Sequence, residues 1–255
     1  MRVILQRHLQ PSETAPLRVK ECRITNTRRR DGSRGATQYG LRLEDACTGR
    51  VWDQIVTGIT FGGDRTRRAW ETISQTAVAQ ANATTHSGLP HFAYVPELDL
   101  LLQVFPRDLR LPALAGLMVG PPPELIPVLL AELGSGDREP LSWTADVVQY
   151  RVDMRAIVRL TIAATDPTSG RAGERQFYAK VYRDPEQGRR AYRAQSDLHE
   201  QANAVGQHLM VAKPIVYDEA LRTLVTAAIP GTLVATATPS SKSPKSSKRW
   251  ACASS

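Results

Sequence analysis

Apolar positions recur with strand spacing in the first part of the chain. Residues 18–25 carry Val19, Cys22 and Ile24, and residues 38–43 and 52–59 read as two further strands. Asp31-Gly32 and Thr48-Gly49 mark the turns between them. Asp64 then offers a cap for a helix through Ala69, Trp70 and Ile73. A Thr/Ala/Asn/Ser stretch separates this helix from the apolar run at residues 92–106. A Pro-rich connector at 109–120 leads into a short helix near 124–133. The turn cluster at 134–139 predicts a domain boundary.

The same order returns beyond it. Residues 146–150 and 156–165 read as strands around a polar turn, and residues 166–170 form a loop. Residues 175–182 contain the strong β formers Phe177, Tyr178, Val181 and Tyr182. Asp184-Pro185-Glu186 is a helix start, with Asp at the cap and Pro in the first turn, and the helix is expected to run to about Ala204. Two strands follow at 211–217 and 223–229, joined by a turn at 218–222. Pro230-Gly231 ends the regular pattern.

This return points to an internal repeat. Arg67-Arg68-Ala69-Trp70 precedes Arg189-Arg190-Ala191-Tyr192 by 122 positions, and residues 55–59 fall on 177–181 at the same offset. The run beginning at Tyr94 falls on the run beginning at Tyr217, an offset of 123. Two copies of a β-β-β-α-β-β unit are expected, with Gly58 standing where the second copy has Lys180.

Composition adds boundaries rather than an identity. The chain has 255 residues, 42% of them hydrophobic and 23% charged, which excludes collagen, coiled coil and wholesale disorder. Pro112, Pro121, Pro122, Pro123 and Pro127 interrupt its longest apolar stretch, so no transmembrane helix is expected. The N-terminal apolar run is too short for a signal peptide. Cys22, Cys47 and Cys252 suit neither a disulfide framework nor a zinc knuckle, and a reduced, cytoplasmic protein is expected. The net charge is +8, of which Lys242, Lys245, Lys248 and Arg249 supply half. Residues 234–255 read as a disordered basic tail, too poor in large apolar groups to offset ordering entropy.

Residues 175–184, then Gly188-Arg189-Arg190-Ala191-Tyr192, then 212–218 and 224–231 carry a resemblance. Over about residues 146–233 they resemble the N-terminal lobe of the aminoglycoside phosphotransferase and choline kinase-like family. The resemblance implies an α+β protein-kinase-like N-terminal lobe, an antiparallel sheet plus a helix, here with two such units in tandem. The implied division is a degenerate lobe at 1–135, an ATP-side lobe at 140–233 and the tail.

In that family a lysine of the third strand binds nucleotide phosphates, an acid of the next helix holds it, and a hinge after the fifth strand meets adenine. The resemblance therefore implies nucleotide-binding roles for Lys180, Glu200, Ala228 and Ile229. Asp197 is the other helix acid, and Glu200 is favoured. An ammonium flanked by Tyr178, Val181 and Tyr182 in a half-buried strand calls independently for an anion or a carboxylate. ATP is the implied cofactor and a nucleotide the implied partner, with the acceptor unspecified and no membrane role. The family also implies Mg, but residues 220–255 contain no Asp, Glu, His or Asn to supply catalytic or metal-holding groups. Such a chain is expected to be a truncated or frame-shifted product, inactive alone in phosphate transfer.

Other constellations are weaker. The turn at 151–155 lacks the glycine that lets backbone N–H groups approach phosphate, although Arg155 is present. His8, His86, His91, His199 and His208 have no metal-ligand spacing. No P-loop or G-x-S-x-G elbow is present. Arg28-Arg29-Arg30 reads as a solvated hairpin end. The competing functions are a pseudokinase-like binding module and, least favoured, a nucleic-acid-binding protein.

Overall fold

Two sheets of identical strand order organise the chain. The computed structural model describes residues 1–9, 17–30, 34–77, 88–120, 122–134, 142–165, 172–205 and 210–229. The first compact unit is Met1–Asp108, and the second begins at Leu109. Residues 109–134, which the sequence assigned to the end of the first unit, therefore group with the second sheet. The Asp31-Gly32 turn, the Pro230-Gly231 step and the tail at 234–255 lie outside the described residues.

The first unit runs α1 (Arg2–Leu9), β1 (Leu17–Arg30), β2 (Arg34–Asp45), β3 (Val51–Thr60), α2 (Arg65–Ala77), β4 (Phe92–Val95) and β5 (Leu100–Val104). Its sheet order is β1-β2-β3-β5-β4, antiparallel throughout. The second unit runs α3 (Ala113–Val119), α4 (Ile126–Glu132), β6 (Ser142–Arg151), β7 (Arg155–Thr165), β8 (Ala172–Tyr182), α5 (Pro185–Val205), β9 (Pro214–Asp218) and β10 (Thr223–Ala227). Its sheet order is β6-β7-β8-β10-β9, again antiparallel. In both, a helix follows the third strand, and the last strand enters the sheet between its third and fourth.

Alternation along each strand assigns the faces. In the first unit Leu41, Leu43, Val56, Leu102 and Val104 form one buried face, capped by Leu5 and Leu9 of α1. Gly58 belongs to this face, where a Cβ would meet Leu100 Cδ1 at 2.9 Å. The opposite face receives α2, whose Trp70 ring stacks on Tyr94 with centroids 6.4 Å apart. In the second unit Ala156, Val158, Leu160, Phe177, Ala179, Val181 and Val225 are fully buried on one face. Each large apolar side chain buried there stabilises by roughly 1.5–3 kcal/mol. Tyr178, Lys180 and Tyr182 project from the other face, toward α5.

Two helices were not foreseen. α1 is short, with Leu5 and Leu9 one turn apart on its buried side. α3 lies inside the stretch read as a connector, because its prolines stand at the borders. Pro112 is its N-cap residue, and Pro122 and Pro123 follow it. Pro127 falls in the first turn of α4, where a missing N–H costs nothing.

Candidate anion-binding site on the second sheet

Lys180 lies near the end of β8, the middle strand of its sheet, between Ile157 of β7 and Leu224 of β10. Its Nζ donates to Gln195 Oε1 at 3.3 Å. Gln195 is fixed in turn, because its Nε2 donates to the Ala212 carbonyl at 3.0 Å. One turn further along α5, His199 Nδ1 meets the Val211 carbonyl at 3.0 Å. These two contacts hold the segment entering β9 against the helix and set the amide that receives the lysine.

The expected acid partner is a correction. The inward face of α5 is built from Gly188, Gln195, His199 and Ala202, spaced by three, four or seven residues. Glu200 and Asp197 fall between these positions and are exposed. No ion pair joins either to Lys180 among the described residues. A five-residue step from Gln195 to Glu200 turns through about 140° at 3.6 residues per turn, which places the acid on the far side. The period of buried positions along α5 was the signal that would have selected Gln195.

The charge that does face Lys180 is positive. Burial first, then the Arg155 guanidinium, holds the Lys180 ammonium below the ordinary lysine range. Arg155 opens β7 opposite Tyr182, and Ile157 opposite Lys180 lies two residues on, so Arg155, Lys180 and Tyr182 share one face. Burial raises the Tyr182 phenol, and the same guanidinium pulls it partly back. Arg155 Nε is enclosed with no hydrogen-bond acceptor. Lys180 thus rests on a neutral amide, with the Arg155 charge beside it.

The turn before Arg155 solves its geometry without glycine. Asp153 takes the left-handed conformation at φ 59°, a position that Asp tolerates better than most residues. Met154 N–H closes the turn on the Arg151 carbonyl at 3.0 Å, and Arg183 N–H reaches the Met154 carbonyl at 3.1 Å. The turn is thereby tied to the end of β8, which fixes where Arg155 leaves the sheet.

At the expected hinge, Ala228 N–H donates to the Gln176 carbonyl at 3.0 Å, extending the β8–β10 ladder by one bond. Ile229 follows, exposed. Helix α4 braces the same sheet through Glu132, which pairs with Arg175 at 3.5 Å and Lys213 at 2.7 Å. Among the described residues no group of three or more His, Cys, Asp or Glu is placed to hold a metal ion.

The strand register also corrects the counterpart of Lys180 in the first unit. Tyr94 pairs with Leu101, and Leu101 with Ile59. Tyr217 pairs with Leu224, and Leu224 with Lys180. The lysine position of the first unit is therefore Ile59, fully buried, and not Gly58. Gly58 sits one residue away and faces α1. The sequence offset of 122 misses this because the fourth and fifth strands repeat at 123.

No known protein family, curated protein or solved structure matches this chain.

Proposed function

We propose that the second unit is a phosphate-binding lobe of protein-kinase-like design that takes a nucleotide at Lys180. The observation that carries this reading is the half-buried Lys180 ammonium beside the Arg155 charge, with an amide as its hydrogen-bond partner and no ion pair to it among the described residues. A partly buried charge of this kind is stabilised by an opposite charge. The α/β-phosphates of ATP supply one of the right size for an ammonium and a guanidinium together. The strand order and the helix placement agree with a kinase N-terminal lobe. Since Ala228 N–H is committed to Gln176, adenine recognition falls to the Ala228 carbonyl and the backbone of Ile229.

Binding is the function assigned; turnover by this chain is not. Phosphoryl transfer needs one acid to orient the acceptor and others to hold Mg. The donor set around Lys180 is cationic and amide-bearing, so the residues present fit phosphates and do not fit the metal. The reading is that of a nucleotide-binding, pseudokinase-like module.

Thermal unfolding with and without nucleotide tests it. ATP in excess raises the midpoint of the wild-type chain and leaves that of Lys180→Ala unchanged, because a ligand stabilises by mass action only where it binds. An equal rise in both proteins, or none in either, overturns the proposal.

A further inference from the structure

We propose that the cleft between α1 and the edge strand β1 binds a phosphate monoester, a small organic dianion, through Arg2 and Arg18. The cleft measures about 380 Å³ and is lined by Arg2, Val3, Gln6, Arg18, Val19 and Lys20. That volume falls at the low end of the ~300–1,000 Å³ usual for small-ligand sites. Cations line it from both the helix and the strand, and no acidic side chain is part of the lining. The site belongs to the first unit and does not depend on Lys180.

Local structure fixes the two walls. Leu5 and Leu9 are buried and anchor α1 on the core. Arg2 lies four residues before Gln6, on the same side of the helix. Gln6 joins the helix to the outer edge of β1: its Nε2 donates to the Leu17 carbonyl, and its Oε1 accepts from Val19 N–H at 2.6 Å. The side-chain amide thus occupies the place of a neighbouring strand, and helix and strand are held at a set separation. Arg18 stands between the two residues that Gln6 holds, so the two arginines reach the cleft from opposite walls. Glu44 is opposite Arg18 in the register, but its carboxylate is taken by Lys20 at 3.1 Å. Lys20 therefore lends the cleft its alkyl stem rather than a free charge. Arg2 and Arg18 are exposed, and neither guanidinium has an ion pair or a hydrogen-bond partner among the described residues.

Charge and size select the ligand. Guanidinium forks match the oxygens of phosphate and carboxylate groups. A carboxylate brings a single charge, whereas a phosphate monoester brings about −1.5 to −2 at neutral pH, which suits two cations. Val3, 67% exposed, and the buried Val19 give the carbon part of the ester an apolar wall. A nucleic-acid backbone is held by about six to ten phosphate contacts, more than two free guanidiniums supply. A membrane surface needs apolar area to insert, and within the lining Val3 alone exposes any.

Isothermal titration calorimetry of the full chain with glycerol 3-phosphate tests the proposal. Lys180→Ala is carried throughout, so that binding on the second sheet does not contribute. Saturable binding is expected. Arg2→Gln together with Arg18→Gln should weaken it by about tenfold or more, the scale of lost hydrogen bonds to a charged group. Arg7→Gln takes a charge from the same helix outside the lining, where Arg7 pairs with Glu97, and should change the affinity by less than about twofold. Vesicles containing phosphatidic acid distinguish a lipid headgroup from a soluble ester. The proposal is overturned by absent saturation, by an equal loss in Arg7→Gln and the double variant, or by binding confined to the vesicles.

Discussion

The two sheets share strand order, helix placement and a helix-facing tyrosine, yet diverge where the third strand meets its helix. In the second unit that contact is polar: Lys180 donates to Gln195, and Gln195 to Ala212. In the first unit the equivalent strand position is Ile59, fully buried, and the helix offset of 122 brings Ile73 to the place of Gln195. The tyrosines diverge as well. Tyr94 stacks on Trp70 and donates to Asp99 Oδ1 at 2.9 Å. Tyr217 lies over Gly188 and donates to the Pro185 carbonyl at 2.9 Å. The lesson is that one scaffold closes its third-strand contact with apolar packing in one unit and leaves it charged in the other.

Exchanging the two versions gives the largest expected effect. Ile59→Lys places an ammonium where solvent does not reach and should cost about 3–5 kcal/mol, the penalty scale of an uncompensated buried charge. Denaturant unfolding followed at Trp52 and Trp70 reads it. A loss under about 1 kcal/mol would mean that the two positions are not equivalent in environment.

Gly188 is the next point of contrast. A Cβ there would lie 2.5 Å from Tyr217 Cε2. Gly188→Ala should therefore lose about 1–2 kcal/mol, an overpacking cost partly offset by the ~1 kcal/mol helix preference for Ala. Combined with Tyr217→Ala, the same Gly188→Ala change should become neutral or favourable. If Gly188→Ala alone stabilises the chain, Tyr217 does not fix this helix.

Lys180→Met should stabilise the ligand-free chain by about 0.5–1 kcal/mol, the usual exchange of stability for function at such positions. Its pH signature is more specific. The folded-state pKa of Lys180 is lowered, so just below the ordinary lysine range the unfolded chain binds more protons than the folded one. Wild-type stability therefore gains a rising contribution as pH climbs through that window, and Lys180→Met should lack it. Identical pH profiles for the two proteins would place the ammonium in open solvent.

The smallest effect is expected from Arg155→Gln. Removing the guanidinium should move the Lys180 pKa upward by less than burial moves it down, because burial is the larger cause. Amine-selective NMR of the Lys180 side chain would follow this.

Strand positions were legible in the sequence because one face of each sheet is a core, and alternation records that directly. The repeat was legible through Arg67–Trp70 and Arg189–Tyr192, since both segments begin a helix against the same sheet face. Lys180 stood out as a charge among strong β formers. Its partner did not, because choosing by charge favoured Glu200, whereas helix periodicity and the buried positions of α5 select Gln195. Ile59 was hidden by a one-residue difference between the strand offsets, and a one-residue shift moves a side chain to the other face. The helix α3 was hidden by prolines counted as breakers although they stand at its ends.

Hydrogen exchange in the presence and absence of ATP addresses the difference between the two sheets most directly. Slowed exchange is expected over the end of β8, the start of β7 and residues 224–229, with residues 51–60 of the first unit unchanged. Slowed exchange at 51–60, or ATP binding that leaves β8 untouched, would contradict it.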